Sequence, residues 1–471
     1  MLFLYYCLVF ITSFVFMSFE IVGMRLIAPE YGNTIYTWGS VISFFLIGST
    51  LGYWFGGRIS DSNSSTTKIK LALACAAVSL GTVPIIAKAV FPLLKDLPGH
   101  MPLLIASSVL FVVPTLFLCA VIPALTKKGL DIEYNGRRIG SLHICSALGS
   151  IVGTLLTTFI IIPYASIPGV IFTLTLMLVL SLIVYDWIDK RRMSLKFIPI
   201  ALCCVLPFIS ISESVQEGVR IVEKRSSPYH DLYVMDTNQY EGETGSFRIL
   251  QFSEQLIQGA VDLNDPQRIL FPYVAAKIEL MEHYNPAFKD VFMIGHGVGS
   301  LAKNYINSDK RFKVAEIDPE VVKVSKEYFG YPSDNIIVSD GRRLLQNEPD
   351  KQYDFILLDA FSADSIPFHL TTNEFFRIAR AKLKPDGYII ANVIGTIKGD
   401  QLINSMFRTL KEQYAFVSAY TPDPHSDDSQ NILLVASALQ LDSPSLSLFQ
   451  EVKLEAGELI TDLSPGHWKL N

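Results

Sequence analysis

Long apolar stretches fill the first 212 residues, whereas short apolar runs separated by polar turns make up the rest of the chain. A helix needs about 20 apolar residues to cross a membrane. Seven stretches approach this length, the last being the shortest, and they lie roughly at 2–27, 36–57, 69–93, 102–125, 139–163, 168–188 and 196–212. The pattern predicts a multi-pass helical domain over 1–212, with six or seven spans in the plasma or inner membrane of the cell.

Basic residues indicate the orientation, because they collect in the loops that stay in the cytoplasm. They are concentrated between spans two and three, four and five, and six and seven: Arg58, Lys68, Lys70, Lys127, Lys128, Arg137, Arg138, Lys190, Arg191 and Arg192. These loops and the N-terminus are therefore predicted to be cytoplasmic. Seven spans would place the second half of the chain outside, and six would place it in the cytoplasm. Both arrangements stay open.

Two charged residues, Glu20 and Arg25, lie within the first predicted span. Charge is costly there and often marks a function. The two residues either form a polar site inside the helical bundle or extend towards the interface and meet Arg58 or Asp61 of the next hairpin. We favour the second interpretation.

The second half has three predicted parts. Residues 213–265 carry short β-like runs with turn signals between them, which predict a small antiparallel sheet: Val219–Lys224, Asp231–Asp236, Ser246–Phe252 and Leu256–Gln258. Strands and helices alternate over 266–440, which predicts an α/β domain with a parallel sheet. Residues 441–471 are rich in Ser, Pro and Leu and are predicted to form a loosely packed C-terminal extension.

Composition and charge exclude several classes of function. Of 471 residues, 50% are hydrophobic and 18% are charged, and the net charge of −6 gives no reason to expect a nucleic-acid partner. All six cysteines lie in the apolar half without metal-ligand spacing. The second half has none, so a disulfide, a cysteine nucleophile and a cysteine-bound zinc are excluded there, and no metal site is predicted.

A glycine-rich loop follows the first strand predicted in the α/β domain. The apolar run Val291–Ile294 is followed by Gly295, Gly297 and Gly299. Glycine lets the backbone approach a ligand closely, and open α/β sheets bind ligands at the carboxyl ends of their strands. The spacing differs from the G-x-G-x-x-G pattern of dinucleotide folds, so the loop alone does not specify the ligand.

Three acidic residues end the next predicted strands, namely Glu316, Asp340 and Asp359. Glu316 follows the glycines at an interval that suits a ribose diol. Asp340, with Gly341 after it, suits adenine, and Asp359 suits a reacting centre. Each acid could instead be a helix N-cap. Taken in order with the glycine loop, they predict a nucleoside-binding α/β domain of the S-adenosyl (Rossmann-like methyltransferase) type.

The loop from Asp359 to Pro367 contains a second carboxylate, Asp364. Two carboxylates near a sulfonium would attract a cationic amine and accept its proton. An alkylammonium with a pKa of about 10.4 must lose that proton before its nitrogen can attack. Three aromatic residues either wall an aliphatic amine or belong to the core: Tyr229, Tyr273 and Phe361.

These motifs together resemble a membrane-fused member of the spermidine synthase (polyamine aminopropyltransferase) family. The segments of the second half that carry the resemblance, in family order, are Ser227-Pro228-Tyr229-His230, Gly295–Gly299, Glu316-Ile317-Asp318, Asp340-Gly341, Asp359 through Pro367, Leu370 through Phe376 and Leu383 through Gly387. In the first half, Glu20 through Pro29, Trp38 and Gly56 through Asp61 resemble the spans fused to such domains.

The resemblance implies transfer of an aminopropyl group from decarboxylated S-adenosylmethionine, a co-substrate, to a diamine such as putrescine. Methylthioadenosine would be the second product, with no prosthetic group. The resemblance also assigns roles to residues. Glu316 would hold the ribose and Asp340-Gly341 the adenine, while Asp359 would accept the proton of the amine and Asp364 would bind the amine. The other implied substrate contacts are Tyr229, His230, Gln258, Tyr273 and Pro367. The expected partners are a small amine and the lipid bilayer, and a homodimer is left open.

Several positions around the substrates depart from the family pattern. Val298 replaces the usual aspartate of the glycine loop, His230 replaces a glutamine, and Phe271-Pro272-Tyr273 replaces a tyrosine-histidine pair. The loop from Asp359 to Asp364 is also two residues longer than the corresponding loop of the soluble enzymes of the family. Two alternatives therefore stay open. One is a membrane-bound S-adenosylmethionine-dependent methyltransferase, because Val298 removes a carboxylate that would oppose the carboxylate of the intact donor. The other is a transporter with a non-catalytic nucleoside-sensing domain.

Overall fold

The structure is a computed structural model that describes most of the chain, namely residues 1–31, 35–62, 64–94, 97–131, 136–162, 165–190, 218–227, 229, 231–252, 256–360, 366–455 and 457–463. The chain divides into two compact units near residue 214. The first unit is helical, and the second contains two β-sheets.

The first unit contains six long helices in its described residues. They are α1 (Leu2–Tyr31), α2 (Ile35–Ser60), α3 (Ser65–Leu94), α4 (Met101–Leu130), α5 (Gly136–Leu156) and α6 (Ile167–Lys190), and a π-helical turn at Thr157–Ile161 extends α5. All six are long and apolar enough to cross a membrane. A chain in lipid must satisfy its backbone polar groups internally, as these helices do. Six of the predicted apolar segments are thus confirmed as helices, and the seventh, 196–212, lies outside the described residues.

Small residues let two of these helices touch closely. A Cβ atom added at Gly149 or Gly153 of α5 would collide with the α1 backbone at Phe10 or Phe14. Small side chains at such contacts allow close van der Waals packing between apolar helices, where the hydrophobic effect supplies little attraction.

The charged residues at the ends of the first helices have defined partners. Arg25 Nη1 donates to the Ile162 carbonyl at 3.3 Å, just beyond the π-helical turn. Asp61, which was a candidate partner for the first span, accepts a hydrogen bond of 2.7 Å from Lys127 Nζ on α4. Arg25 therefore links α1 to the end of the fifth helical segment, and Asp61 links the end of α2 to α4.

The second unit begins with a four-stranded antiparallel sheet in the order β1-β2-β3-β4. Its strands are β1 (Val219–Ser226), β2 (Asp231–Tyr240), β3 (Glu243–Phe252) and β4 (Leu256–Asp262). The four β-like runs of the sequence lie within these strands. Arg248 and Asp236, paired across β2 and β3, form a two-pronged hydrogen bond with distances of 2.7 and 3.0 Å. Opposite charges at facing positions stabilise such a pair of strands.

An eight-stranded sheet follows, in the order β12-β10-β11-β9-β8-β5-β6-β7. Its strands are β5 (Asp290–Ile294), β6 (Arg311–Glu316), β7 (Ile336–Val338), β8 (Tyr353–Leu358), β9 (Leu383–Gly395), β10 (Phe416–Thr421), β11 (Gln430–Ser437) and β12 (Gln450–Val452). Strands β5 to β9 pair in parallel, whereas β11 is antiparallel to β9 and to β10. The predicted Rossmann-like, methyltransferase-type α/β domain is confirmed, with a mixed sheet rather than a parallel one.

Six helices accompany this sheet, and β8 lies near its centre with all six residues buried. The helices are α7 (Pro272–Tyr284), α8 (Ser300–Lys303), α9 (Pro319–Phe329), α10 (Gly341–Gln346), α11 (Asn373–Lys382) and α12 (Gln401–Gln413). A central parallel strand is covered on both faces, which explains the apolar run Phe355–Leu358 that ends β8.

The prediction of a loosely packed C-terminal extension is wrong for its described part. Ile460 is fully buried, and Phe449 is 3% exposed. Asp462 forms a two-pronged hydrogen bond with Arg342 of α10, with distances of 2.7 and 2.6 Å. Single apolar residues spaced among Ser and Pro have no helical or strand period, so the sequence pattern did not reveal them as anchors.

Candidate active site

The glycine loop between β5 and α8 depends on left-handed backbone conformations. The φ angles of Gly295, Gly297 and Gly299 are 91°, 56° and 82°. Other residues rarely adopt such values. A Cβ atom at Gly295 would also collide with the backbone carbonyl of Asp359. The end of β5 therefore lies directly against the end of β8, which brings the glycine loop next to the predicted reacting centre.

Glu316 ends β6 and holds the glycine loop in place. Its side chain accepts a hydrogen bond of 2.9 Å from the backbone N–H of His296 and another of 2.9 Å from the N–H of Asp318. The residue is 8% exposed. These two hydrogen bonds fix the Glu316 carboxylate between the glycine loop and the start of α9.

Asp318 and Ser227 connect the two sheets of the second unit near this point. Asp318 caps α9 through the N–H of Glu320, and it also accepts a hydrogen bond from the Ser227 hydroxyl. Tyr229 follows closely: burial raises the pKa of its phenol, and the charges of Asp318, Asp340 and Glu316 raise it further. Tyr229 thus lies within electrostatic reach of the acids of the sheet edge.

Asp340 has two roles in the structure. It caps α10, since its Oδ1 accepts a hydrogen bond of 2.8 Å from the Arg343 N–H. Its Oδ2 lies 2.8 Å from Nε2 of His369. The helix-cap alternative is therefore realised, and the second oxygen still faces another side chain. The sequence analysis did not single out His369. Its position shortly after Pro367, just beyond the loop that begins at Asp359, was an available signal.

Asp359, directly after β8, is held by two residues that the sequence reasoning also missed. Its Oδ2 lies 2.7 Å from Nζ of Lys277 on α7, and its Oδ1 accepts a hydrogen bond of 3.0 Å from Nδ2 of Asn392 on β9. Lys277 is fully buried, and Asp359 has a side-chain exposure of 11%. A lysine on the buried face of α7, flanked by Val274 and Met281, was the signal that could have identified it.

The electrostatics around Lys277 are those of a desolvated amine. Burial lowers the pKa of its side chain, and Asp359 opposes this shift. Its Nζ lies 4.9 Å from the centre of the Tyr273 ring. Burial, together with the charge of Asp359, raises the pKa of the Tyr273 phenol, so this group stays protonated. Lys277, Asp359 and Tyr273 therefore form one polar cluster.

The remaining predicted positions fall in three groups. Gln258 lies by the glycine loop, because its backbone carbonyl would be 3.1 Å from a Cβ atom at Gly297. Pro367 precedes a short 3-10 turn at Phe368–Leu370. Outside the described residues are His230, Phe361 and Asp364. The structure thus brings the glycine loop, Glu316, Asp340 and Asp359 to one sheet edge, and the roles assigned to them stay predictions.

The fold is that of a Rossmann-like α/β domain of the methyltransferase type, with acidic residues at the carboxyl ends of its parallel strands. Residues 274–423 match the profile of the spermine/spermidine synthase domain. This segment contains the glycine loop, the three acids, Lys277 and Asn392. The match lies within the second half of the chain.

Three relatives illustrate the similarity. A polyamine aminopropyltransferase of Vibrio vulnificus is 33% identical over 208 residues, which cover 42% of this chain and 65% of the relative. An N-terminal histidine N-methyltransferase of Emericella nidulans is 30% identical over 201 residues, covering 38% of this chain and 35% of the relative. The crystal structure of a probable spermidine synthase from Corynebacterium glutamicum covers 49% of this chain and 90% of its own, with 19% identity and a TM-score of 0.43.

Proposed function

We propose that the protein transfers an aminopropyl group from decarboxylated S-adenosylmethionine to a small amine. The observation that carries the proposal is the meeting of Glu316, Asp340 and Asp359 at the carboxyl edge of one sheet, beside the glycine loop. The spermine/spermidine synthase domain and the aminopropyltransferase named among its relatives support it.

The proposed roles follow from the chemistry of the groups. Glu316 accepts hydrogen bonds from the ribose hydroxyls, and Asp340 accepts a hydrogen bond from the amino group of adenine. The acceptor nitrogen, once unprotonated, forms a bond to the carbon beside the sulfonium, and the bond from that carbon to sulfur breaks. Methylthioadenosine leaves as a neutral thioether. We assign the proton of the acceptor amine to Asp359, and the resemblance assigns Asp364 to the same amine. The reaction depends mainly on positioning, because nitrogen and sulfur must align at one carbon.

A product assay tests this proposal. The detergent-purified full-length protein is offered decarboxylated or intact S-adenosylmethionine, each with a panel of mono- and diamines, and products are read by mass spectrometry. We expect an added aminopropyl group and equimolar methylthioadenosine with the decarboxylated donor. The Glu316→Gln variant should show weaker donor binding as a control. Absence of an aminopropyl product with every amine would refute the proposal.

A second candidate is methyl transfer from intact S-adenosylmethionine. It is favoured by Val298, which occupies the place of an acid and packs in an apolar cluster with Val261, Val321 and Val324. A site with one carboxylate fewer repels the carboxylate of the intact donor less. One relative is named a methyltransferase, which supports this candidate in the same way. A methylated product from the intact donor in the assay above would establish it.

We further propose that helices α1 to α6 span a membrane, with the basic loops in the cytoplasm. The support is their length and apolar composition, together with the bias of basic residues. In a cysteine-free background in intact cells, Gly99→Cys, between α3 and α4, should react with a membrane-impermeant thiol reagent. Ser62→Cys, between α2 and α3, should react only after permeabilisation. The reverse pattern would contradict the orientation.

A further inference from the structure

The most unusual group of the second unit is the ammonium of Lys277, which is fully buried against the predicted reacting centre. Among the described residues its Nζ has no aligned hydrogen-bond acceptor, although Asp359 Oδ2 is 2.7 Å away. Asn392 holds the other oxygen of Asp359, and its own Oδ1 is buried without a partner in the described part of the chain. An acid, an amide and an amine with unused hydrogen-bonding capacity therefore meet at the end of β8.

A lysine at this position needs a chemical reason. Moving an ammonium out of water costs more than its ion pair usually returns, and apolar residues of similar volume often replace such pairs without loss of stability. The neighbours of Lys277 on the buried face of α7, including Leu280 and Met281, would accommodate a methionine. Packing alone does not account for Lys277, whereas lysine amines that lose their proton when buried are suited to proton transfer.

We propose that Lys277 is a positioning residue for the transfer reaction, which fixes the Asp359 carboxylate and, in its neutral form, receives through Asp359 the proton lost by the acceptor amine. This inference rests on the proposed function and adds to it a destination for the proton. Asp359 is then the bridge between substrate and lysine, and its negative charge is restored when the proton moves on.

In the proposed step the acceptor ammonium gives one proton to Asp359, and Asp359 passes it to the neutral Lys277. The acceptor is then a free amine, Asp359 is again a carboxylate and Lys277 is an ammonium. The amine nitrogen forms the new bond to carbon, the bond to sulfur breaks with both electrons going to sulfur, and methylthioadenosine leaves. The product keeps a secondary ammonium. The lysine ammonium beside Asp359 is thereby restored, as in the empty site.

The surroundings favour the neutral form of Lys277 at the moment of reaction. Among the residues that the structure describes, the titratable groups that face Lys277 are the Asp359 carboxylate and the Tyr273 phenol, with Tyr240 beyond them. Burial lowers the pKa of Lys277 in the empty site. A sulfonium and an ammonium bound nearby would lower the pKa further, because like charges disfavour another cation. Lys277 then releases its proton to water as the substrates bind.

Two substitutions at Lys277 separate proton acceptance from simple pairing. Lys277→Met removes both, whereas Lys277→Arg keeps a cation beside Asp359 that cannot be deprotonated. With the purified full-length chain, the decarboxylated donor and the amine identified by the product assay, both variants should lower kcat at pH 7.5 by about 100-fold or more. The KM for the donor should change little. The deficit should shrink towards pH 10, where the amine needs no proton acceptor.

Lys384→Met is the matched control, since Lys384 pairs at 2.8 Å with Asp354 at the opposite end of β8. Lys384→Met should not show the pH-dependent loss of kcat that is expected for the two Lys277 variants. Methylthioadenosine binding by calorimetry verifies that each variant is folded, and if Lys277→Met is not, the arginine variant carries the test.

Three results would overturn the inference: wild-type kcat in Lys277→Arg, an unchanged rate in Lys277→Met, or a loss that is the same at every pH. These results leave the proposed function standing. A wild-type protein that makes no aminopropyl product overturns the proposed function itself, and the inference with it.

Discussion

Replacing Asp359 with Asn is expected to abolish aminopropyl transfer and to destabilise the second unit at the same time. Asn keeps the size of the side chain but cannot take a proton, so turnover should fall by about 1000-fold or more. Stability should fall by about 3 kcal/mol, because Lys277 loses the counter-charge 2.7 Å from its ammonium. Product formation by mass spectrometry and the urea midpoint by pulse proteolysis measure the two effects.

The double variant Asp359→Asn, Lys277→Met separates the loss of stability from the loss of turnover. Removing the buried cation together with its partner should recover most of the lost stability, whereas turnover should stay absent. Asp354→Asn, at the start of β8, is a suitable comparison because its partner Lys384 is one-third exposed and can be hydrated. A double variant no more stable than Asp359→Asn would contradict the buried ion pair. Turnover retained by Asp359→Asn would remove Asp359 as a proton acceptor.

Features set by local pattern were predictable from the sequence. Six apolar stretches of membrane-spanning length became helices. The apolar run Phe355–Leu358 became part of a buried central strand, and the predicted acids lie at the carboxyl edge of the sheet.

Features that depend on contacts between distant segments were not predictable. Strand direction leaves no trace in an apolar run, so the antiparallel β11 was missed. Lys277 and Asn392 come to Asp359 from α7 and β9, and no local spacing relates the three residues. The same holds for His369 at Asp340. The predicted acids were thus placed correctly at strand ends, while the side chains that contact them were not foreseen.

Acid should destabilise the second unit through His296, the residue between the first two glycines of the loop. Its Nε2 lies 2.9 Å from Ser325 Oγ, and its buried Nδ1 has no partner among the described residues. Burial, with a smaller effect from Lys326, lowers the pKa of the imidazole from 6.5 to about 3. Between these values the unfolded chain binds a proton that the folded chain does not, so stability falls as the pH falls below about 6.5.

The size of this effect is measurable at pH 5. One proton contributes about 1.4 kcal/mol per pH unit, so the 1.5 units below 6.5 amount to about 2 kcal/mol of lost stability. In His296→Asn the loss between pH 7 and pH 5 should be smaller by that amount, because asparagine does not titrate. His425→Asn, at an exposed position, should behave like the wild type. Equal acid sensitivity in all three proteins would mean that His296 takes up its proton within the folded chain, and the glycine loop would then hold a cation beside Glu316 at low pH.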